Sequence, residues 1–540
     1  MLGRKKWGRP AWLSKRDRGE DIQQRRRQDL RKLKRRVLTE QLEARRLLAT
    51  DVSGTITADE VWSGTVHVTG DVTIADGVNV TVEPGTVVKI NASRWITGVG
   101  SFDVNGTASE PVIFTSVNDD TVGEDLTPEA TIGSPGDWES LYTYSGDWDV
   151  QHAEVRFAGG GGEGSIYVDD LQDPTDNNTD SSFANVSIVD SGNYGIESFR
   201  GTVDFSNIDV TGSTLSAFQQ SAGADATYSQ LSASGNLGGD HVRYAGRTVS
   251  SDQTWDFGGL PAHVVGDVNI NGANTTLNVI PGSIIKLGSS AGIKASSAAG
   301  DRGSLIAVGT SGQPIIFTSV NDDSVGGDSN ADGDAASPSP GDWDAFNLYN
   351  SDSRLEHVEV RYGGGDNNGG IGLSTDTFGT SPATTISNVA LIDNQAEGIE
   401  VFAGNPSLNN ISIVGSTNVA IEVGSGARPT FQNITASGNE DGDHVQLRSQ
   451  VYDEDFTWDF GGLPVHVMSD INVNGASTTL TIVPGSVIKF NPATGIQGSA
   501  AVNDRGSLVA VGTSEQPIIF TSTKDDTFGG DSNADGDATT

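Results

Sequence analysis

The sequence predicts an all-β fold, a right-handed parallel β-helix over about residues 60–540, with a basic helical or disordered segment before it. The long repeat is the first reason: the stretch 255–334 is written again at 458–537, so that Pro281 and Pro484 lie 203 residues apart. An older, more diverged copy begins near Trp62. Repetition at a fixed spacing is typical of proteins built from stacked structural units.

A shorter period of 22–23 residues inside the 203-residue unit is the second reason. Its markers, each opening a short apolar run, are Asn185, Asn207, Gln230, Asn388, Asn410 and Asn433. A period of this length holds three short strands and their turns, and such a coil buries its apolar face only by stacking on its neighbours. We also expect the stacked asparagines to form amide ladders. A string of β-sandwich domains is the alternative, but sandwiches place turns every ~8–12 residues without a 22-residue register.

Residues 1–50 are predicted to be a basic N-terminal leader rather than part of the folded body. Three β-helix units are predicted after it: residues 51–253, 254–456 and a truncated third unit, 457–540. Their strands are β-branched runs broken by Gly, Asn and Asp, such as PVIFTS at 111–116. Runs of this kind are typical of strands, and no helical pattern separates them.

Charge divides the chain at about residue 50. Residues 1–50 hold 17 Lys and Arg against 6 Asp and Glu, whereas the remainder holds 16 against 65. The acidic body should repel nucleic acid and attract divalent cations. The basic segment has no apolar run of a secretory signal, and we expect no membrane span. The chain has no cysteine, which excludes disulfides and thiol chemistry.

The end of the basic segment reads LTEQLEARRLLA at 38–49 and resembles the LEPR-x-LL motif of large exported bacterial surface proteins. The matching residues are Leu42, Glu43, Arg45, Leu47 and Leu48, with Ala44 where the family usually has proline. The body resembles right-handed parallel β-helix proteins of bacterial surfaces in its P-[VI]-I-F-T-S strands and its PGDW turns at 135–138 and 340–343. These resemblances imply export to an extracellular or cell-surface location.

The sharpest site pattern is an acidic loop that occurs twice and predicts Ca²⁺ binding. Oxygen-bearing side chains at positions 1, 3 and 5, with Gly at position 6, match the first half of an EF-hand-type loop. The candidate ligands are Asp328, Asn330, Asp332 and Asp334, then Asp531, Asn533, Asp535 and Asp537. The loop also resembles the DxDxDG loops of dockerin and thrombospondin type 3 repeats. The glutamate of position 12 is missing, so that Asp322, Asp323 or Asp342 would have to complete the ligand set.

The histidines look structural, because all seven fall into sets that recur with the repeat. A catalytic site is normally built once, on a rigid scaffold. The same reasoning applies to the repeated lysines and arginines. The tryptophans of the PGDW turns, with Trp255 and Trp458, should pack against coil edges, with carbohydrate stacking as the alternative.

Two classes of function remain open. The first is a non-enzymatic surface protein, structural or adhesive, stiffened by Ca²⁺, with extracellular polysaccharide or other surface proteins as partners and no nucleic acid. Copying of whole units favours it, since multivalency benefits from copies. The second is a polysaccharide lyase or glycoside hydrolase built on the same fold, an inference from fold analogy. No catalytic residue or organic cofactor is predicted.

Overall fold

The computed structural model describes residues 49–127, 131–169, 181–272, 274–295, 303–333, 335–349, 351–374, 384–498 and 504–536. The chain divides into two units, Met1–Ala49 and Thr50–Thr540. Residues 1–48 lie outside the described ranges. Nearly all of the predicted basic segment, and the matching residues of the LEPR-x-LL-like motif, therefore lie outside them as well.

The second unit is all-β: its described residues form 42 strands and no helix, as the sequence predicts. The strands of the first predicted unit are β1 Thr50–Ile56, β2 Glu60–Trp62, β3 Thr65–Ile74, β4 Asn79–Val82, β5 Val87–Ile90, β6 Ile96–Gly98, β7 Ser101–Asn105, β8 Val112–Ser116, β9 Leu141–Tyr144, β10 Trp148–Arg156, β11 Ile166–Asp169, β12 Ser181–Val189, β13 Ile196–Thr211, β14 Phe218–Ser234, β15 Val242–Tyr244, β16 Thr248–Val249 and β17 Gln253–Trp255.

The second predicted unit continues with β18 Ala262–Val264, β19 Val268–Ile270, β20 Thr276–Val279, β21 Ile284–Leu287, β22 Ile293–Ala295, β23 Ser304–Val308, β24 Ile315–Ser319, β25 Phe346–Tyr349, β26 Arg354–Arg361, β27 Ile371–Ser374, β28 Thr385–Ile392, β29 Ile399–Val401, β30 Ser407–Val414, β31 Ile421–Val423, β32 Thr430–Ser437, β33 Val445–Leu447, β34 Gln450–Tyr452 and β35 Phe456–Trp458. The third holds β36 Val465–Val467, β37 Ile471–Val473, β38 Thr479–Ile482, β39 Val487–Phe490, β40 Ile496–Gly498, β41 Ser507–Ala510 and β42 Ile519–Ser522.

Pairing between these strands is parallel. In the most regular stretches it joins each strand to one that comes 22–23 residues later, whereas elsewhere the interval differs, as between Ile293 and Phe346. Phe183 of β12 pairs with Phe205 of β13, and Leu408 of β30 pairs with Phe431 of β32. In these stretches the 22–23-residue period of the sequence is therefore the register of the pairing. Strands stacked about 4.8 Å apart place equivalent side chains above one another, so that the rings of Phe183 and Phe205 stack with centroids 5.4 Å apart.

The core runs inside this stack of strands. Along β3 the side chains alternate, and Val66, Val68, Val72 and Ile74 are buried while their neighbours are not. The alternation arises because successive side chains of a strand point to opposite faces. The largest buried side chains include Trp138 and Trp343 of the PGDW turns.

A column of left-handed residues interrupts the long strands β10, β12, β13, β14, β26, β28, β30 and β32 at equivalent points. Asn185, Asn207, Asn388 and Asn410 have φ between 52° and 58°, a region that asparagine tolerates better than most residues. The predicted amide ladders are present: Asn207 Nδ2 donates to Asn185 Oδ1 at 2.7 Å, and Asn410 Nδ2 donates to Asn388 Oδ1 at 2.6 Å. The next members, Gln230 and Asn433, have left-handed φ as well, and so do His152 and His357.

Candidate metal centre

Two acidic loops of the same pattern follow β24 and β42. In the first, one carboxylate oxygen each from Asp323, Asp328 and Asp332 lies within 4.8 Å of the other two. The second loop has the same arrangement, formed by Asp526, Asp531 and Asp535. Each carboxylate of the second loop stands 203 residues after its equivalent, so the arrangement is copied as a whole. These are the two groups of this kind among the described residues.

Asp328 shapes the first loop by accepting two backbone hydrogen bonds. Its Oδ1 accepts the N–H of Asp332 at 3.1 Å, and its Oδ2 accepts that of Gly333 at 3.0 Å. The chain turns sharply there, with φ of 57° at Ala331 and 63° at Gly333. Glycine takes such angles at little cost, whereas alanine is strained. The glycine that the pattern requires at position 6 is therefore at a turn.

Asp322, Asp323 and Asp342 were the three candidates from the sequence for a further carboxylate ligand, and Asp323 is the one that lies beside Asp328 and Asp332. The other two are engaged in neighbouring turns: Asp322 accepts the hydroxyl of Thr318 at 2.6 Å, and Asp342 accepts that of Ser319 at 2.6 Å. Equivalents of Asp323 and Asp322 recur in the second loop.

The predicted ligand Asn330 lies in the loop and orders it. Its Oδ1 accepts the N–H of Asp332 at 3.2 Å, and its Nδ2 donates to the Asp332 carboxylate at 3.1 Å and to the carbonyl oxygen of Val320 at 3.0 Å. Asn533 likewise donates to Asp535 at 2.8 Å. The predicted ligands Asp334 and Asp537 lie outside the described residues.

A stacked pair of buried histidines anchors the first loop to the strands beside it. The rings of His241 and His263 stack with centroids 3.6 Å apart. His241 Nδ1 donates to the carbonyl oxygen of Ser329 at 2.8 Å, and His263 Nε2 is 2.7 Å from the Ser329 hydroxyl. Since a carbonyl only accepts, His241 must carry its proton on Nδ1. The second loop is anchored identically at Ser532, by His444 and His466.

Burial holds these histidines neutral, because desolvation disfavours the charged imidazolium. It lowers the pKa of His241 to about 4 and that of His444 to about 4. It also lowers the pKa of His263 well below the ordinary value and that of His466 to about 2, in each case with the stacked partner adding to the effect. Histidines that carry no charge and hold a loop are structural, as their recurrence in the sequence predicts.

A buried lysine supplies one positive charge beside each loop. Lys286 is fully buried and its Nζ donates to the carbonyl oxygen of Gly327 at 2.8 Å. Burial lowers its pKa, and the nearby carboxylates of Asp323, Asp322, Asp328 and Asp332 act in the opposite direction. One ammonium against these four carboxylates leaves a net negative charge to which a divalent cation would be attracted. Lys489 donates equally to Gly530 in the second loop.

The repeated tryptophans and arginines occupy structural positions. Trp138 and Trp343 donate from Nε1 to the carbonyl oxygens of Arg156 and Arg361, both at 2.8 Å. Arg156 pairs with Glu154, and Arg361 with Glu359, on the same strand. The tryptophans are fully buried rather than merely packed at a coil edge.

A second cluster, which the sequence analysis missed, lies in a cavity of about 360 Å³ in the second predicted unit. Glu400 of β29 and Glu422 of β31 are register partners on adjacent parallel strands. Burial, with the charges of Glu397 and Glu422, raises the pKa of Glu400 to about 7. The guanidinium of Arg448 donates a hydrogen bond to the carboxylate of Glu422. The cluster thus places Glu400, whose pKa is raised, opposite a glutamate that pairs with an arginine.

Comparison of the two copies would have revealed this cluster. At a spacing of 203 residues, Glu400 corresponds to Glu197, but its partners differ in the first copy: Tyr194, Gln219 and Ala245 stand where the second has Glu397, Glu422 and Arg448. The acidic loops are recognised because their residues are identical in two copies of the repeat. The cluster around Glu400 is recognised only from the positions at which the copies differ.

The chain matches no family model, no curated protein and no solved structure. Within the described ranges, none of the elements is a helix long and apolar enough to cross a membrane.

Proposed function

We propose that this chain is an exported bacterial surface protein, structural or adhesive and non-enzymatic, whose body is a right-handed parallel β-helix and whose two acidic loops bind Ca²⁺. The loops carry the proposal. Each loop brings three carboxylates together, and each is held by its own copy of the histidine pair and of the lysine. Retention of the loop together with its anchors is the pattern expected of a unit copied for length and valency.

The fold is proposed from parallel pairing at a 22–23-residue register and from the asparagine ladders. Parallel strands joined this way form a stack in which each coil covers the apolar face of the next. An experimental structure with left-handed winding, or with separate sandwich domains, would overturn this part of the proposal.

Calcium suits these loops better than magnesium. Oxygen ligands on a flexible loop fit the variable coordination of Ca²⁺, whereas Mg²⁺ demands near-octahedral geometry and dehydrates reluctantly. A partly protein-built ligand set predicts weak affinity, with Kd of ~0.1–1 mM as in extracellular modules. Ca²⁺ bound only to the folded chain would stabilise it by about 2.7 kcal/mol at 100 times Kd.

Calorimetric titration of the full chain with CaCl₂ tests the proposal, and we expect two sites of similar affinity. The variant Asp323→Asn with Asp332→Asn should leave one site, because it removes two ligands while Asp328 keeps the loop folded. The control Asp76→Asn with Glu440→Gln changes two exposed acids elsewhere by the same charge and should keep both sites. No uptake at about 5 mM Ca²⁺, or an equal response to Mg²⁺, would contradict calcium binding.

Glycoside hydrolysis is the second candidate function, and the pair Glu400 and Glu422 favours it. Such enzymes use one carboxyl that donates a proton and one ionised carboxylate beside it. A panel of neutral and uronate polysaccharides should then be cleaved by the wild type and not by Glu400→Gln. Glu197→Gln is the matched control, because Glu197 stands at the equivalent position opposite Gln219. Equal activity of the two variants would place the reaction elsewhere, and no cleavage of any substrate would exclude this candidate.

A further inference from the structure

A strip of aromatic side chains lies on the outward face of β9, β11 and β13. Its members, Tyr142, Tyr144, Tyr167 and Phe199, are partly exposed, and the residue before each of them is buried. This alternation arises because successive side chains of a strand point to opposite faces. The ring centroids lie 6.0 Å apart for Tyr142 and Tyr144, 4.9 Å for Tyr142 and Tyr167, and 6.1 Å for Tyr167 and Phe199. The four rings therefore form one continuous surface, the aromatic strip.

The three tyrosine hydroxyls of the strip reach solvent. Within the described ranges none of them has a hydrogen bond to another residue, and none is among the buried polar atoms that lack a partner. A ligand can therefore approach the outer parts of these rings without any movement of the core.

A carboxylate continues the strip on the next strand. Tyr167 is the register partner of Tyr142, and Glu197 is the register partner of Tyr167, so the three side chains stand in one column. The backbone N–H of Gly164 donates to Glu197 Oε2 at 3.3 Å. Burial raises the pKa of Glu197 to about 7, and the negative charge of Glu163 adds to that rise. A cation at this point would relieve the repulsion between the two carboxylates.

Glu163 and Glu139 form a second acidic pair beside the strip. A Cβ placed on Gly161 would lie 2.7 Å from Glu163 Oε2 and 3.2 Å from Glu139 Oε2, so both carboxylates approach the same point. Burial raises the pKa of Glu139, and the charge of Glu163 adds to it. Neither these two glutamates nor Glu197 forms an ion pair with a described residue. The surface around the tyrosines is therefore negative and attracts a cation.

The chain itself shows how a cation is held by this combination of groups. At the end of the strip, the Arg200 guanidinium lies 4.7 Å from the centroid of the Phe199 ring, and its Nε donates to Asp169 at 2.9 Å. In the second copy, Arg428 lies 4.7 Å from the Tyr452 ring centroid and 3.7 Å from a carboxylate. Among the described residues no cation lies over the three tyrosines of the strip. Rings and carboxylates are thus present there without the guanidinium that accompanies them elsewhere.

The second copy of the repeat has no equivalent strip. Asn347 and Gly372 stand 205 residues after Tyr142 and Tyr167, so the two central rings are absent. Asn347 also accepts the hydroxyl of Tyr349 at 3.0 Å, which leaves that tyrosine paired within the chain. The strip is therefore a feature of the first copy, unlike the acidic loops, which are copied whole.

The geometry of the rings limits the shape of the cation. The planes of Tyr142 and Tyr167 are 88° apart, so the two rings form an angular slot and not a flat platform for a sugar ring. A slender stem with a planar charged end fits such a slot. A guanidinium is planar, stacks on aromatic faces and bonds carboxylates in a fork, whereas an ammonium is a strongly hydrated point charge.

We propose that the aromatic strip binds an arginine side chain from an extended basic segment of a partner protein. The guanidinium lies against Tyr142 and Tyr167 and donates to the carboxylates of Glu163 and Glu197. This inference goes beyond the proposed function, because it depends neither on Ca²⁺ nor on export of the chain.

Calorimetry on the full chain tests the proposal with a capped peptide of alternating serine and arginine. The matched probe replaces arginine by citrulline, which has nearly the same shape and no charge. At 0.15 M salt, charges beyond a screening length of ~8 Å contribute little, so the distant acidic body attracts the peptide only weakly. We expect saturable binding of the arginine peptide and none of the citrulline peptide. Equal binding of the two peptides, or no binding of either, overturns the proposal.

Two variants separate the rings from their hydroxyls. Tyr142→Leu with Tyr167→Leu keeps apolar side chains and the net charge but removes both π faces, and it should weaken binding roughly fivefold or more. Tyr142→Phe with Tyr167→Phe keeps the rings and should bind nearly as the wild type does. The matched control Tyr349→Leu removes a ring from the second copy and should leave binding unchanged. Unchanged binding in the leucine variant overturns the proposal, as does equal weakening in the control.

A charge variant keeps the test decisive if the leucine variant fails to fold. Glu163→Gln with Glu197→Gln should weaken binding of the arginine peptide, whereas Asp76→Asn with Glu440→Gln removes two exposed acids elsewhere and should not. Equal weakening in both would mean attraction by net charge alone and overturns the proposal. Tighter binding of a deacetylated chitosan oligosaccharide than of the peptide would assign the strip to an amino sugar and overturn the protein partner. Calcium titration of the same samples reports separately on the acidic loops.

Discussion

The buried histidine pairs make acid stability a measurable consequence of the loop anchors. In the unfolded chain His241 takes up a proton near its ordinary pKa of 6.5, but in the folded chain it does so only near about 4. Between these values the unfolded state binds more protons, so stability is full above pH 6.5 and falls as the pH drops toward 4. A separation of ~2.5 pKa units, at 1.36 kcal/mol per unit, amounts to about 3 kcal/mol. His444 should contribute about as much in the second copy.

Two glutamates act in the opposite direction and would mask this effect in the wild type alone. Burial raises the pKa of Glu197 to about 7 and that of Glu400 to about 7. The unfolded chain loses these protons near pH 4.5 and the folded chain near 7, so stability falls as the pH rises across that window. The histidine contribution is therefore isolated by comparing the pH dependence of stability between variants and the wild type, and not from the pH dependence of the wild type alone.

Replacing His241 and His444 by glutamine is the decisive perturbation. A glutamine amide can still donate to the carbonyl oxygens of Ser329 and Ser532, but it cannot be protonated in this range. Urea unfolding at pH 7, 6, 5 and 4 should show a lower free energy of unfolding for the variant at pH 7, since the ring stacking is lost. From pH 6.5 to 4 it should lose about 3 kcal/mol less per copy than the wild type.

His152→Asn is the control for this experiment. It replaces an imidazole in the left-handed column by the residue that Asn185 shows is compatible there, and it leaves both buried pairs intact. The control should retain the wild-type acid slope. Parallel pH profiles for the wild type and the glutamine variant would refute the assignment of His241 and His444 as buried, neutral anchors.

Further predictions concern the core, the ladder, the lysine and the N-terminal segment. Ile413→Asp should cost several kcal/mol in chemical unfolding, because its side chain is fully buried; an unchanged unfolding midpoint would place it outside the core. Asn410→Ala should cost about 1–2 kcal/mol, from the strained φ of 55° and the lost amide bond, and Asn410→Gly should recover only the backbone part. Lys286→Met should lower the melting temperature without Ca²⁺ and enlarge the rise in melting temperature on adding Ca²⁺, because the carboxylates lose the one ammonium that partly neutralises them. A smaller rise than in the wild type would show that the ammonium helps to form the Ca²⁺ site and does not compete with the ion. Mass spectrometry of surface-exposed protein should find a start near Ala49 or later, and an intact Met1 there would contradict cleavage of the leader.

The sequence by itself determined that the fold is all-β and, in its regular stretches, the register of strand pairing. Repetition at 22–23 residues leaves few ways to bury the apolar face of each period, and stacking of equal periods is the simplest. The isoleucines at matching points of the period, Ile188, Ile208, Ile413 and Ile434, are all buried. The asparagine ladders were predictable for the same reason, since equal periods bring identical side chains together. The acidic loop was recognisable because its residues are close in the chain.

The tertiary structure alone decided what comes together from distant parts of the chain. It selected Asp323 over Asp322 and Asp342, and it placed Ser329 on a histidine that is 88 residues away in sequence. Local pattern specifies backbone conformation and burial, which depend on neighbours within one period. Hydrogen-bond partners and pKa depend on which side chains the stacking brings within a few ångströms, and no local pattern contains that distance.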